Sequence, residues 1–140
     1  IWQCGNLYAA EYQPLANENT HVVPFIDNMP AAYAAADLVV SRAGALAISE
    51  LCLMGKPTLF IPSPNVAENH QEKNAQSLVD NKAAKMVVEH KADNDFWPVL
   101  KGLIEDEELR ELIGKNITSF AHPNATKDIV EKLTQLISHE

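Results

Sequence analysis

Apolar residues along the chain fall into short blocks separated by stretches of helical spacing. The blocks "HVVPFI" (21–26), "DLVVS" (37–41), "PTLFIP" (57–62) and "AKMVVE" (84–89) are rich in Val, Ile and Phe and are bounded by Pro, Asp or Asn, a pattern that predicts strands. Between them, "MPAAYAAA", "ALAISELCLM" and "HQEKNAQSLVDN" have the Ala, Leu and Glu content of helices. The resulting β-α-β-α-β-α-β order predicts the α/β class, with a doubly wound parallel sheet covered on both faces. After residue 93 only helical patterning remains, in "DNDFWPVLKGLIED", "EELRELIGKNITSF" and "ATKDIVEKLTQLI". That tail is expected to pack across the sheet or toward a partner domain.

Size and composition narrow the picture. A chain of 140 residues suffices for one compact domain with a real core and is too short for two of ordinary size. Hydrophobic residues at 46% and charged residues at 21% fit a globular protein, and no apolar run reaches the length of a membrane span. The net charge of −8 argues against a general nucleic-acid or anionic-membrane surface, since both need a basic field. An anionic ligand must then be held by local geometry. Cys4 and Cys52 lie far apart in apolar settings without metal-ligand spacing, which favours a reducing, cytoplasmic compartment. The opening "IWQCGN" resembles the end of a buried strand, so the expectation is a domain of a longer protein.

Parallel α/β sheets bind ligands at the carboxyl ends of their strands, where helix N-termini present N–H groups. Three loops therefore matter, at 26–30, 41–46 and 63–71. In the second, strand "DLVVS" ends at Ser41, Gly44 is expected to provide freedom for a tight turn, and Ala45 starts a helix that Gly55 and Pro57 stop. The small residues Ala43, Gly44 and Ala45 would let a phosphate approach the first free N–H groups and the positive end of the helix dipole. Glu50 leans back toward that end over Ala47. Its charge would repel a phosphate, but a carboxylate suits the vicinal hydroxyls of a ribose.

Other roles for these residues stay open on spacing alone. Glu50 could pair with Arg42 or Lys56, and Arg42 could either neutralise a phosphate or brace the turn. In the third loop, His70, Gln71 and Asn74 offer groups suited to sugar hydroxyls, or they form a solvated helix start capped by Asn69. In the first, main chain at Phe25 and Ile26 could pair with a planar base, although apolar residues at a strand end also serve a core. His21, His90, His122 and His139 show no ligand spacing, and Trp2, Tyr33 and Trp97 suit core or interface positions. No P-loop, G-x-S-x-G, H-E-x-x-H or paired-cysteine motif occurs.

Residues 25–75 carry a composite pattern: F-I-x-x-M, then A-D-x-x-x-x-R-[SA]-G-A-x-x-x-x-E, then G-x-P, then H-Q-x-x-N-A. This resembles the carboxy-terminal half of the MurG family, the UDP-N-acetylglucosamine:lipid I N-acetylglucosaminyltransferases of bacterial peptidoglycan synthesis. The resemblance implies a GT-B architecture of two Rossmann-like domains, with residues 1–140 as the UDP-sugar donor-binding domain. It further implies that main chain at Ile26 meets the uracil and that Glu50 holds the ribose hydroxyls. Arg42 with the turn Gly44, Ala45, Leu46 and Ala47 would line the diphosphate and sugar. Gln71 would hold the N-acetylglucosamine hydroxyls, supported by His70 and Asn74. Where some relatives have a hydroxyl residue this chain has Ala47, leaving only main-chain N–H for any contact there.

The same resemblance implies that the family's glycine-rich loop, acceptor domain, general base and membrane-associating patch lie outside these residues, so no catalytic residue is expected here. Neither metal nor cofactor is expected, a positive helix end standing in for a cation. The implied partners are UDP-N-acetylglucosamine and, through the other domain, lipid I at the cytoplasmic face of the inner membrane. Nucleic acid is not among them. Other GT-B transferases with a different acceptor, UDP-sugar epimerases, non-catalytic sugar-nucleotide sensors and a Rossmann-like interaction domain remain alternatives.

Overall fold

The computed structural model describes residues 1–137, which form two compact units, Ile1–Ala36 and the chain from Asp37 onward. In the first unit, β1 (Trp2–Gln3) pairs in parallel with β2 (Val22–Val23), Trp2 opposite Val22 and Gln3 opposite Val23. Between these strands lie the 3₁₀ turn Asn6–Tyr8, the single-turn helix α1 (Ala9–Tyr12) and the 3₁₀ turn Gln13–Leu15. Trp2 and Tyr12 face each other with ring centroids 4.8 Å apart. Helix α2 (Met29–Ala35) begins where Asn28 Oδ1 accepts the Ala31 N–H at 3.1 Å, a side-chain cap for one of the donors every helix start leaves over. Tyr33 and Val22 are the buried side chains of this unit, whereas Trp2 stays exposed.

The second unit is built on β3 (Val39–Ser41), β4 (Thr58–Phe60) and β5 (Lys85–Met86), all parallel with β4 central. Val40 faces Leu59 and Ser41 faces Phe60, and Phe60 is in turn opposite Met86. All three residues of β4 are fully buried, as a strand covered on both faces requires. The Thr58 hydroxyl meets that condition by donating to the Lys56 carbonyl at 2.8 Å. Helix α3 (Ala45–Met54) links β3 to β4, and α4 (His70–Asp80) links β4 to β5. The helices begin where the composition places them, but each strand is shorter than its apolar block. At 57–62, Pro57 and Pro62 lack the N–H that a longer ladder would use.

The tail is helical as expected: α5 (Ala92–Glu105), α6 (Glu107–Ile117) and α7 (Ala125–Ile137). Asp106 caps α6 by accepting the Leu109 N–H at 2.9 Å. Leu103 and Ile113, from α5 and α6, close over Leu59 and Val87 in one core cluster, with Phe96, Val99, Leu100 and Leu109 packed around it. The tail thus supplies one wall of the sheet's core. Helix α7 contributes no buried residue. Trp97 is exposed, as are His21, His90 and His122, while His139 lies outside the described residues.

Candidate functional site

Three connections leave the carboxyl ends of β3, β4 and β5, and the chemistry expected from the second unit is concentrated on them. The first is the turn from Ser41 to Ala45. Helix α3 starts at Ala45, and Gly55 ends it in the left-handed conformation at φ 61°, the usual place for glycine. Gly44 behaves differently from the expected turn-former. Its φ of −69° and ψ of 146° are open to any residue, so backbone freedom is not what it provides. Nor does the surrounding chain need the space, because a Cβ built there meets no atom within 4 Å.

The start of α3 also lacks a cap. Ile48 is the first residue to donate back, to Gly44 O at 3.0 Å, and Gly44 has no side chain to serve the donors before it. The carbonyls that would lie one turn behind Ala45, Leu46 and Ala47 are committed elsewhere. Ser41 O accepts from Ile61 N–H at 2.9 Å, Arg42 O from the Ser41 hydroxyl at 2.9 Å, and Ala43 O from Asn74 Nδ2 at 3.5 Å. Among the described residues the N–H groups of Ala45, Leu46 and Ala47 thus have neither an intrahelical acceptor nor a side-chain cap, and they lie together at the positive end of a ten-residue helix. Leu46 beside them is 83% exposed. Glu50, in the second turn, is exposed on the same helix.

Arg42 realises the bracing role that spacing left open. Through Nη1 it donates to Ile61 O at 3.1 Å and Pro62 O at 3.3 Å, and it forms an ion pair with Glu89 just past β5. Sequence reasoning missed Glu89, which lies 47 positions from its partner, beyond the reach of any spacing rule.

The second connection, from β4 to α4, contains two consecutive non-glycine residues in the left-handed region, Glu68 at φ 54° and Asn69 at φ 56°. Asn69 occupies the N-cap position of α4, but its side chain does not cap; Nδ2 donates to Glu72 Oε2 at 2.6 Å instead. Gln71 Oε1 accepts the Ser63 N–H at 2.9 Å, which ties the head of α4 back to the exit of β4. That bond uses the acceptor half of the amide and leaves its NH₂ half for another group. Asn74, by reaching Ala43 O, joins the same helix to the α3 turn, and His70 is exposed at the helix start. A cleft of about 240 Å³ opens alongside, lined by Pro62, Ser63, Asn69, Glu72, Glu89 and His90 among others.

Ile26 belongs to the first unit. Its N–H donates to the Gln3 side-chain carbonyl, Oε1, at 2.8 Å. Phe25 beside it is exposed. Cys4 and Cys52 are both free thiols, and burial pushes the Cys52 thiol above its ordinary range. Among the described residues no three His, Cys, Asp or Glu side chains gather as a metal site, and no helix is long and apolar enough to cross a membrane.

Comparison with known proteins gives this geometry a context. Residues 1–133 match the model of the glycosyltransferase family 28 C-terminal domain. A UDP-N-acetylglucosamine--N-acetylmuramyl-(pentapeptide) pyrophosphoryl-undecaprenol N-acetylglucosamine transferase of Flavobacterium psychrophilum is 48% identical, over all of this chain and 38% of its own length. A Bacteroides fragilis protein of the same name is 45% identical, over 97% of this chain and 37% of its own. The crystal structure of Acinetobacter baumannii MurG superimposes with a TM-score of 0.84 at 31% identity, covering 95% of this chain and 40% of that one. The chain thus spans about two fifths of the length of the relatives it matches. The fold is accordingly the expected α/β, Rossmann-like one, that of the carboxy-terminal half of a GT-B glycosyltransferase. With its parallel strands, its uncapped α3 turn and a family match running from the first residue almost to the last, the chain belongs to the glycosyltransferase family 28 C-terminal domain family.

Proposed function

We propose that residues 1–140 are the UDP-N-acetylglucosamine-binding domain of a transferase that glycosylates lipid I to make lipid II. The observation that carries this reading is Gly44. Neither its own conformation nor any neighbour in the chain calls for glycine, yet it stands beside three unclaimed N–H groups. A missing Cβ there is explained by a group arriving from outside, and a diphosphate is what the positive end of a helix attracts. Arg42 borders the same turn, Glu50 supplies a two-oxygen acceptor for ribose hydroxyls, and Gln71, with His70 and Asn74, supplies amide and imidazole groups for the sugar. The curated relatives bear the name of this transferase, which supports the choice of donor and acceptor.

In the reaction, a hydroxyl of the acceptor attacks the anomeric carbon of the sugar. The new C–O bond forms as the bond to the β-phosphate breaks, and the electron pair leaves with UDP. Charge therefore grows on the diphosphate in the transition state, where the α3 amides and the Arg42 charge beside them would stabilise it. The proton of the attacking hydroxyl goes to a base on the acceptor side, outside these residues. The whole enzyme would work at the cytoplasmic face of the inner membrane, touching lipid through its other domain.

Glu50→Ala in the full-length protein is expected to weaken UDP-N-acetylglucosamine binding about tenfold or more, the loss of hydrogen bonds to a charged acceptor. Calorimetric titration measures it. Unaltered affinity would remove Glu50 from the site, and absence of UDP-sugar binding by the wild-type enzyme would refute the function.

A further inference from the structure

Arg42 joins the exits of all three strands of its sheet. Its own backbone follows β3, its guanidinium takes the carbonyls of Ile61 and Pro62 just after β4, and its ionic partner Glu89 opens the 3₁₀ turn Glu89–Lys91 just after β5. Every one of these contacts is made through Nη1. A guanidinium has five N–H donors in a rigid fork, and the Nε and Nη2 edge has no partner among the described residues. That edge is the geometry that grips a phosphate with two parallel hydrogen bonds. The side chains of the pair are 53% and 43% exposed, so water weakens the attraction and little fold stability comes from it. The consequence of the contact is directional. An arginine already held at one corner loses less freedom when a ligand takes the opposite edge.

We infer that Glu89 is a positioning residue for the donor's diphosphate: it fixes Arg42 by the Nη1 corner against the exit of β4 and so presents the Nε–Nη2 edge to the phosphates. This rests on the α3 turn being the diphosphate site. Glu89 also carries a charge that repels phosphate, and the two effects oppose each other. Orientation prevails in this inference because Arg42 keeps its own full charge while Glu89 limits where that charge can go.

The test uses the full-length protein with Glu89→Ala and Glu89→Gln, titrated with UDP and, by competition, with uridine. Glu89→Ala is expected to weaken UDP binding about three- to tenfold, the range of one net hydrogen bond. Glu89→Gln, which keeps an acceptor oxygen, is expected to lose less, and uridine affinity to stay at the wild-type value in both. In an Arg42→Ala background, Glu89→Ala should add nothing further, since its effect passes through Arg42. Unchanged or tighter UDP binding in Glu89→Ala overturns the inference, as does an equal loss for UDP and uridine or a full effect without Arg42. None of those results touches the proposed function, which fails separately if the wild-type enzyme does not bind UDP.

Discussion

Replacing Gly44 by Ala separates folding from ligand binding. The residue sits at φ −69° and ψ 146°, which alanine adopts without strain, and the added methyl would have no atom of the chain within 4 Å. Gly-to-Ala changes at such compatible positions stabilise by about 0.4–1 kcal/mol, mainly by restricting the unfolded chain. For a chain of this size that corresponds to a rise of roughly 1–4 °C in Tm. The same methyl occupies the open space beside three unclaimed N–H groups, where a phosphate oxygen would have to come within about 3 Å of nitrogen. Displacing the phosphate from one charge-assisted hydrogen bond costs about 1.5–3 kcal/mol, or roughly ten- to a hundredfold in affinity. Differential scanning calorimetry with and without UDP reads both quantities in one experiment. The variant should melt at or above the wild-type temperature while gaining far less from added UDP. A lowered Tm without ligand would show that the chain itself needs this glycine, and an undiminished UDP shift would show that nothing approaches it.

Other consequences concern the body of the second unit. Leu59→Ala, at a fully buried position of the central strand, should destabilise by about 2–5 kcal/mol in a urea titration; a smaller loss would mean that Leu103, Ile113 and Val87 close over the gap. Gly114→Ala should cost about 1–3 kcal/mol in the same assay, since its Cβ would stand 2.9 Å from the Gly55 carbonyl oxygen; wild-type stability would show that α3 and α6 can separate without penalty. The buried Cys52 thiol, pushed upward by desolvation, is neutral in the folded chain at a pH where the unfolded chain has begun to ionise. Its contribution to stability is complete below the ordinary thiol range and declines as pH rises through that range toward the raised folded value. Cys52→Ala should accordingly show a shallower alkaline fall in Tm than wild type, and an identical slope would refute the assignment.

How much of this was legible in the sequence depended on how local each cause was. The start of α3 at Ala45 and of α4 at His70, and the three tail helices, follow from composition and stop signals carried within the segments themselves. Strand extent was less legible, because where a ladder ends depends on a neighbouring strand that the segment does not contain. The stretch from Asn6 to Leu15 carried no periodic signal, since three short helical turns are too brief to display one. At the candidate site, the expected backbone freedom of Gly44 is not what the structure uses: its backbone is ordinary, with open space beside it. Asn69 was placed correctly at the head of α4, yet its left-handed conformation turns the side chain to Glu72. The engagement of Arg42 by Glu89, and of Ile26 by Gln3, joins residues distant in sequence and could be found only in three dimensions.

The contact between Gly55 and Gly114 bears on more than stability. A helix has to be fixed along its axis if the groups at its leading end are to keep a set position relative to the strands. Here the trailing end of α3 abuts the main chain of α6 so closely that no methyl fits between them. The tail thereby keeps α3 from sliding backward, and fixes from the opposite end of the rod how far its first amides stand from the sheet. On the proposal that these amides receive a diphosphate, substitution at this remote seam should alter donor affinity while leaving every residue of the proposed site unchanged.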